Sequence, residues 1–559
     1  MAETMTNADN FWLSMDEPTN LMVITAFMEF EEPVNFKRLY ATIESRLASF
    51  KRFRKRVVIP VSGVGVPSWK TDKNYDLRSH LQRVALPAPG DKAELQEMIS
   101  NLMTTPLDPN KPLWQVHLIE NYGKGCVVFF RIHHCIADGI ALVHVLLSTT
   151  DTDPNAPWPQ YQPENRQDSN SLQSLFPVGN IIGTITKTIN TTINYGAALL
   201  EEGGKTLSDP SRLKKVANAT TGLTSDFVSI LAKHTIMPSD PKTPFKGKLG
   251  VRKRVAWTEP ISLDKIKTVG RAISTATLND VLIATVTGAM RRYLKTRNTP
   301  VNELDLRVTV PVNIRKPGTE FELGNRFSLV FLALPVYIDD PVLRLKEVKR
   351  RMDHLKKSPD AFINFGLLNA MGVLPANISK RSAHLFGNKA SGVLTNVPGP
   401  KQPLYFAGNK INNIMFWVPR SGMIGLGISI FSYDGKVTVG IASDERLMPD
   451  PEFLLNGFEE EFNHLLGLVQ SGKIYDVPLV LHDRYQETQN TDISKVEKKS
   501  GTAHDKGSTR CKATTKKGSQ CKRRALPGSG YCGPHRRLEE DTREWTHKRK
   551  NSHYISMIR

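Results

Sequence analysis

The sequence predicts an α/β protein with two main domains and a separate basic tail. At 559 residues, the chain exceeds the roughly 250–300 residues at which a single hydrophobic core stops growing. Strand-like and helix-like apolar patterns alternate along both halves of the chain. Polar residues accumulate after residue 150, and apolar periodicity ends near Val480. These two changes mark the expected boundaries.

The first expected domain spans residues 1–155. The pattern NLMVITAFMEF favours a strand, NFKRLYATIESRLASF has apolar residues at helical spacing, and KGCVVFFRIHH is the continuous apolar run of a buried strand. A linker is expected at residues 156–245, because Pro, Asn, Asp and Gln concentrate at its start. Within it, Leu175–Leu200 is interrupted by Thr, Asn and Gly. It therefore fits a linker helix or a membrane-surface segment better than a spanning helix.

The second expected domain spans residues 246–482. It starts near VRKRVAWTEPISLDKIKTVG and continues with the helix pattern ATLNDVLIATVTGAMRRYLKTR and the strand patterns DLRVTVPVNIR and NRFSLVFLALPV. Asp434 and Gly435 separate two strand patterns, which predicts a hairpin. The last helix pattern is PDPEFLLNGFEEEFNHLLGLVQ.

Charge and cysteine content limit the location of the protein and its partners. The net charge is +20, and residues 491–559 carry 18 Lys and Arg against 7 Asp and Glu. The chain before residue 491 is moderately cationic. This charge suits binding of an anionic cofactor or an anionic lipid surface, and solubility alone also explains it. Only Cys126 and Cys135 lie outside the tail, so we expect a reducing, intracellular compartment. We find neither a signal peptide nor an uninterrupted apolar run of 18 residues.

The stretch RIHHCIADGIAL holds the candidate catalytic residues His133, His134, Asp138 and Gly139. A buried strand precedes them and a helix capped by Asp138 follows, which places them on a strand-to-helix loop. In the first interpretation, the two histidines are buried core residues whose ring nitrogens are hydrogen-bonded. A metal site is disfavoured, because neighbouring strand residues point to opposite faces. The third interpretation is a general base with an orienting carboxylate and a tight glycine turn, since a neutral imidazole can accept a hydroxyl proton.

The spacing from His133 to Gly139 resembles the HHxxxDG signature of the CoA-dependent acyltransferase superfamily. Further segments resemble the wax ester synthase/diacylglycerol acyltransferase family and follow its order from about residue 10 to residue 470. They are FWLSMDEPTNLMVI, PLDPNKPLW, ATLNDVLIA, VPVNIR, GNRFS, TNVPGP and SYDGKVTVGIASDERLMPDP.

The resemblance implies two chloramphenicol-acetyltransferase-like domains, each a mixed sheet with flanking helices, with a tunnel between them. It also implies transfer of a fatty acyl group from acyl-CoA to diacylglycerol or a long-chain alcohol, giving triacylglycerol or wax ester. His134 would be the general base, and the alcohol would attack the thioester directly. Acyl-CoA is then a substrate, and catalysis needs no cofactor.

The resemblance also assigns roles to residues outside the histidine motif. Arg315 would pair with Asp138 to fix the loop. Asn279 and Asp280 match an Asn-Asp motif, in which Asn279 is expected to donate to substrate or oxyanion or to cap its helix. Trp114 ends a PLW block and is expected to support the structure by packing.

The tail contains Cys511, Cys521, Cys532 and His535, with nine, ten and two intervening residues. Three thiolates and one imidazole can form a closed zinc site, so residues 511–535 form a candidate structural zinc module within the largely flexible segment 483–559. Free thiols in a disordered tail are the alternative. The basic residues favour an anionic membrane over nucleic acid as partner.

Two other functions are open at this stage. One is a condensation-type or polyketide-associated acyltransferase, and the other is an inactive, zinc-tailed binding protein. The expected location is the cytoplasmic face of a membrane or a lipid droplet, with peripheral attachment. The sequence does not predict acyl chain length, preferred alcohol, organelle or oligomeric state.

Overall fold

The computed structural model describes residues 3–60, 65–159, 237–273, 276–315, 323–357, 361, 364–365, 376–420 and 422–474. All of them belong to one unit, Met1–Leu479. Most of the expected linker, including Leu175–Leu200, lies outside the described residues, as does the candidate zinc module with Cys511, Cys521, Cys532 and His535.

Strands in the described residues alternate with helices along both halves. The strands are β1 Glu3–Thr4, β2 Val23–Phe30, β3 Lys55–Val58, β4 Ser68–Thr71, β5 Leu81–Ala85, β6 Trp114–Tyr122, β7 Gly125–His133, β8 Lys253–Trp257, β9 Ile261–Ser262, β10 Asp305–Asn313, β11 Phe327–Pro335, β12 Gly392–Pro398, β13 Tyr405–Phe406, β14 Asn409–Lys410, β15 Asn413–Trp417, β16 Leu426–Tyr433 and β17 Lys436–Asp444. The α-helices are α1 Asn7–Ser14, α2 Phe36–Thr42, α3 Lys92–Thr104, α4 Gly139–Ser148, α5 Leu263–Ala272, α6 Leu278–Thr296, α7 Pro341–Lys356, α8 Ala376–Gly387 and α9 Pro451–Gln470.

The first large sheet has the order β15-β2-β7-β6-β5. Strands β5 and β6 are parallel, and the other neighbours are antiparallel. Every residue of β7 is buried, as its continuous apolar sequence predicts. Strand β15 comes from the second half of the chain and pairs with β2 along five residues. The first sheet is therefore completed by the second half.

The second large sheet has the order β11-β10-β12-β16-β17-β8, with β9 also paired to β17. Strand β12 lies parallel to β10 and to β16, and the remaining pairs are antiparallel. Helices α6, α7 and α9 pack together beside this sheet. Two mixed sheets with flanking helices confirm the predicted α/β class.

Two local predictions can be compared with the backbone. The hairpin between β16 and β17 turns at Asp434 and Gly435, whose φ angles are 47° and 71°. Positive φ at both positions is what a tight two-residue hairpin requires, so this prediction is confirmed. Within the part of the chain that the structure describes, no helix has both the length and the apolar character needed to cross a bilayer.

Candidate active site

The motif loop joins the end of β7 at His133 to the start of α4 at Gly139. Asp138 is the N-cap of α4, and its Oδ1 accepts a hydrogen bond from Ala141 N at 3.0 Å. The predicted strand, loop and helix are therefore present in that order. Gly139 does not have positive φ and is simply the first residue of the helix. The expected tight glycine turn is wrong, because capping by Asp138 already sets the start of the helix.

His134 packs against the rings of Trp12 and Phe327, which also stack on each other, and it is only 4% exposed. Its imidazole stacks on Trp12 with ring centroids 4.2 Å apart and an interplanar angle of 20°, and the Phe327 centroid lies 5.5 Å away. The backbone is held on both sides, because His134 N donates to Met22 O at 2.7 Å and His134 O accepts from Asn325 Nδ2 at 2.9 Å. The position of this residue is thus fixed by both halves of the chain.

The environment of His134 favours the neutral imidazole. Burial lowers its pKa to about 4, so the ring carries no charge at neutral pH. Its Nδ1 is buried and has no hydrogen-bond partner among the described residues. A neutral imidazole can accept a proton from a hydroxyl group, which is the property that a general base needs.

His133 has partners different from those of His134. Its Nδ1 accepts a hydrogen bond from Cys135 N at 3.1 Å, and its Nε2 lies 3.7 Å from Asp16 Oδ1. Through these two contacts His133 braces the loop. Among the described residues, no group of three or more His, Cys, Asp or Glu side chains is arranged to hold a metal ion.

Cys135, the next residue of the motif loop, is fully buried. Burial raises the pKa of its thiol well above the usual value, which disfavours a nucleophilic thiolate.

Asp138 and Arg315 form a buried ion pair, with 2.6 Å between Asp138 Oδ2 and Arg315 Nη2. The same carboxylate oxygen accepts from Arg326 N at 2.9 Å, and Arg315 Nη2 also donates to Gly324 O at 2.7 Å. Burial acts to raise the pKa of Asp138, but the charge and hydrogen bonds of its partners leave that pKa below the usual value. The structure thus brings together the two residues that the resemblance paired, and Asp138 is ionised.

The segment Gly324–Phe327 supplies four successive contacts to the motif loop or its ion pair. Gly324 O accepts from Arg315, the Asn325 amide donates to His134 O, Arg326 N donates to Asp138, and the Phe327 ring lies against His134. These residues belong to GNRFS, a segment of the family resemblance to which the sequence alone assigns no role. Its contacts join residues that lie far apart in the chain, so local periodicity contains no sign of them.

Asp9 is a second buried group that sequence reasoning missed. Its Oδ1 accepts from Asn325 Nδ2 at 2.8 Å and from Asn325 N at 3.2 Å, and its Oδ2 lies 2.9 Å from Arg52 Nη1. Arg52 Nη1 also donates to Ile136 O, within the motif loop, at 3.2 Å. Helix α1 is thereby connected to the loop through a polar network. The only signal in the sequence was that Asp9 lies two residues before the family segment FWLSMDEPTNLMVI, which starts at Phe11.

Asn279 and Asp280 occupy the first turn of α6 and have different partners. Asp280 Oδ2 accepts from Thr277 N at 2.8 Å and Thr277 Oγ1 at 2.7 Å, forming a capping box. The N-cap is therefore Thr277, and the alternative role of Asn279 as the cap is wrong. Asn279 Oδ1 accepts from Asn396 Nδ2 at 2.5 Å. Among the described residues, neither Asn279 nor Asp280 has a hydrogen bond or ion pair to the His134 loop.

Trp114 is the first residue of β6 and pairs with Ile132 of β7. Its side chain is buried, its Nε1 donates to Phe53 O at 2.8 Å, and its ring stacks on His80 with centroids 4.5 Å apart. These contacts are those of a packing residue whose polar atom is satisfied.

Comparison with known proteins agrees with this arrangement. The profile of the wax ester synthase/diacylglycerol acyltransferase catalytic domain matches residues 5–282, and that of the WS/DGAT C-terminal domain matches residues 323–466. A Mycobacterium tuberculosis protein named as a diacylglycerol O-acyltransferase is 29% identical over 491 residues, covering 83% of this chain and 90% of the relative. One from Mycobacterium bovis is 26% identical over 461 residues, covering 81% of this chain and 93% of the relative.

Solved structures show the same fold. A wax ester synthase/diacylglycerol acyltransferase from Marinobacter aquaeolei VT8 has a TM-score of 0.59 at 21% identity, covering 84% of this chain and 100% of that chain. The first condensation domain of the calcium-dependent antibiotic synthetase has a TM-score of 0.51 at 15% identity, covering 84% of this chain and 96% of that chain. The two family profiles together match well over half of the sequence. The chain therefore belongs to the wax ester synthase/diacylglycerol acyltransferase family.

Proposed function

We propose that this protein transfers a fatty acyl group from acyl-CoA to the hydroxyl of diacylglycerol, of a long-chain alcohol, or of both, with His134 as the general base. The observation that carries the proposal is the neutral imidazole of His134, held against Trp12 and Phe327, whose Nδ1 has no partner among the described residues. Membership of an acyltransferase family and relatives named as diacylglycerol O-acyltransferases support the choice of reaction.

The proposed reaction has one tetrahedral intermediate and no acyl-enzyme. His134 takes the hydroxyl proton as the oxygen forms a bond to the thioester carbonyl carbon. The intermediate then collapses, the carbon–sulfur bond breaks, and the imidazolium returns the proton to the departing CoA thiolate. A positioned base of this kind contributes about 10²–10⁴ in rate. The burial that lowers the pKa of His134 also disfavours a long-lived imidazolium, which promotes return of the proton.

Other residues of the site support these steps without exchanging protons. Asp138 and Arg315 position the loop through their buried pair. Asn279 is a proposed donor to the substrate or the oxyanion, because its Oδ1 is occupied by Asn396 while no described residue accepts from its Nδ2. The tunnel between the two domains remains a prediction from the family resemblance.

The proposed location is the cytoplasmic face of a membrane or a lipid droplet. Diacylglycerol, long-chain alcohols and the ester products are apolar and concentrate there, so a peripheral protein would meet its acceptor at such a surface. We also propose that Cys511, Cys521, Cys532 and His535 bind a structural zinc ion. Metal analysis of the full chain beside Cys521→Ser tests this site, and equal zinc content in the two proteins contradicts it.

The activity test uses labelled palmitoyl-CoA with hexadecanol or dipalmitoylglycerol, and a long-chain amine as a third acceptor. Wild type should form ester and release CoA, and His134→Ala should be slower by about 10²–10⁴. His117→Phe is the matched control, because His117 is also a buried histidine but lies in strand β6, outside the loop. Equal rates for wild type and His134→Ala would contradict the base assignment. Preference for the amine would favour condensation-type chemistry instead.

A further inference from the structure

Helix α8 lies between the protein surface and the aromatic rings around His134. Its buried Ala383 belongs to the same apolar cluster as Trp12 and Phe327, the two rings that contact the proposed base. Phe386, three residues later on the helix, also packs against this cluster. A helix with its side chains is about 10–12 Å across. The outer side of α8 therefore lies about one helix diameter from the rings that hold His134.

The outer side of α8 carries an apolar patch. Leu385 is 67% exposed, the largest exposed fraction among the large hydrophobic residues that the structure describes, and Met423 is 36% exposed. The chain at Gly422 lies against the end of α8, because a Cβ atom there would come within 3.2 Å of Gly387 Cα and 3.4 Å of His384 O. A single exposed leucine is common on protein surfaces. Two exposed apolar side chains from separate segments, side by side, favour an interaction surface.

Cationic side chains lie beside this patch. Asn388 O, directly after α8, accepts from Asp240 N at 3.1 Å and from Lys246 Nζ, and Gly247 N donates to Met423 O at 3.4 Å. The segment that contains Asp240, Lys246 and Gly247 therefore runs along the patch. The cations on this segment or next to it are Lys242, Lys246, Lys248, Arg307 and Lys389, and the carboxylate among them is that of Asp240.

The carboxylates at the edges of the patch are already paired with other cations. Asp240 Oδ1 lies 2.9 Å from Arg307 Nε, and Glu17 Oε1 lies 3.5 Å from His384 Nε2 and 3.8 Å from Lys380 Nζ. The patch therefore keeps a net positive charge. Burial and the charge of Arg307 lower the pKa of Lys389, and a nearby anion would counter this effect because opposite charge favours the protonated amine.

We infer that this α8 surface, formed by Leu385 and Met423 with Lys242, Lys248 and Lys389 beside them, docks onto a surface of anionic lipids. The inference rests on the proposed function, which requires an acceptor dissolved in lipid. Burial of apolar side chains and attraction of lysines to anionic headgroups act together in peripheral membrane binding. Docking through α8 would bring the lipid that contains the acceptor to about one helix diameter from the rings at His134.

The test measures cosedimentation of the full-length protein with phosphatidylcholine vesicles, with and without added phosphatidylglycerol. Wild type should bind the anionic vesicles more tightly. Leu385→Gln should weaken this binding about ten-fold, because an exposed leucine no longer enters the lipid, and Lys389→Gln about five-fold, because one headgroup attraction is lost. The matched control is Ile59→Gln, since Ile59 is 64% exposed and lies outside the α8 surface. All three side chains are at the surface, so folding should not change.

Three results would overturn the inference. Unchanged vesicle binding in both α8 variants would assign any lipid binding to another part of the chain, such as the basic tail. An equal loss of binding in Ile59→Gln would show that the effect is not specific to α8. Sedimentation velocity without vesicles tests a second copy of the chain as the occupant. A wild-type dimer that Leu385→Gln dissociates, together with no binding to vesicles, would replace the lipid assignment.

Activity with two acceptors separates this inference from the proposed function. Leu385→Gln should lower the rate with dipalmitoylglycerol in anionic vesicles about ten-fold and leave the rate with a water-soluble alcohol unchanged. If vesicle binding depends on Leu385 but wild type transfers no acyl group, the α8 surface is supported and the proposed function fails. If wild type transfers acyl groups and both variants bind vesicles as wild type does, the α8 surface fails alone.

Discussion

Replacing Arg315 with methionine should destabilise the protein more strongly than a typical substitution. The change removes the guanidinium that lies 2.6 Å from Asp138 and leaves that carboxylate buried. Removing one partner of a buried ion pair costs about 3–5 kcal/mol. Asp138 keeps its hydrogen bonds from Ala141 N and Arg326 N, which continue to stabilise the negative charge. We therefore expect the unfolding free energy to fall by about 3 kcal/mol, the lower end of that range.

Asp138→Asn and the double variant complete a cycle that isolates the pair. Asparagine caps helices about as well as aspartate, so this substitution should act mainly by leaving the buried charge of Arg315 without its anion. The double variant Asp138→Asn with Arg315→Met contains neither charge and should be less destabilised than the sum of the single variants by about 2 kcal/mol. Urea unfolding measures stability, and the rate of CoA release measures function. Asp264→Asn is the control, because its partner Lys267 forms an exposed pair whose loss should cost below about 1 kcal/mol.

Two results would refute this reasoning. Additive effects of the single variants, within about 0.5 kcal/mol, would show that Asp138 and Arg315 are not energetically coupled. Unchanged stability together with a large loss of kcat in Asp138→Asn would show that this carboxylate takes part in the chemistry instead of positioning the loop.

Three further predictions concern the residues around the site. Asn325→Ala should lower the unfolding free energy by about 2–3 kcal/mol, because Asp9 and His134 O lose a buried donor; urea unfolding checks this, and a change below about 0.5 kcal/mol contradicts it. The acid limb of kcat/KM should lie near pH 4, the pKa to which burial lowers His134, and a limb near pH 6.5 in the pH–rate profile would show an ordinary imidazole. Burial also lowers the pKa of His117 to about 4 in the folded protein, whereas a histidine in the unfolded chain is protonated near pH 6.5. The unfolded chain therefore binds a proton that the folded protein does not, and the unfolding free energy should fall as pH drops from 6.5 to 4, by about 3 kcal/mol for this residue. His117→Phe should flatten that pH dependence in acid unfolding, and an unchanged slope contradicts the prediction.

Local patterns in the sequence predicted the elements that hold the motif. The apolar run before His133 became β7, the aspartate at position 138 became the cap of α4, and the Asp434-Gly435 turn joined two strands. Each of these features depends on neighbours within a few residues, so periodicity and capping preferences report on them directly.

The contacts that fix the site were not visible in such patterns. Asn325 bonds to Asp9 and to His134 O, residues 316 and 191 positions away. Strand β15 was not assigned to the first sheet either, because a five-residue apolar segment does not specify which sheet it joins. The family resemblance identified GNRFS as a segment of interest. Only the structure shows that polar contacts join this segment to residues in the first half of the chain.

Strand β15 limits where this chain can be cut into fragments that contain a complete sheet. A fragment ending before residue 160 would contain β2 with one side unpaired. The unpaired backbone amide and carbonyl groups of such an edge can form hydrogen bonds with strands of other chains. Because β15 supplies that missing neighbour from near residue 415, the first sheet becomes complete only after most of the chain has left the ribosome. Until those five residues are synthesised, one edge of β2 lacks its partner strand.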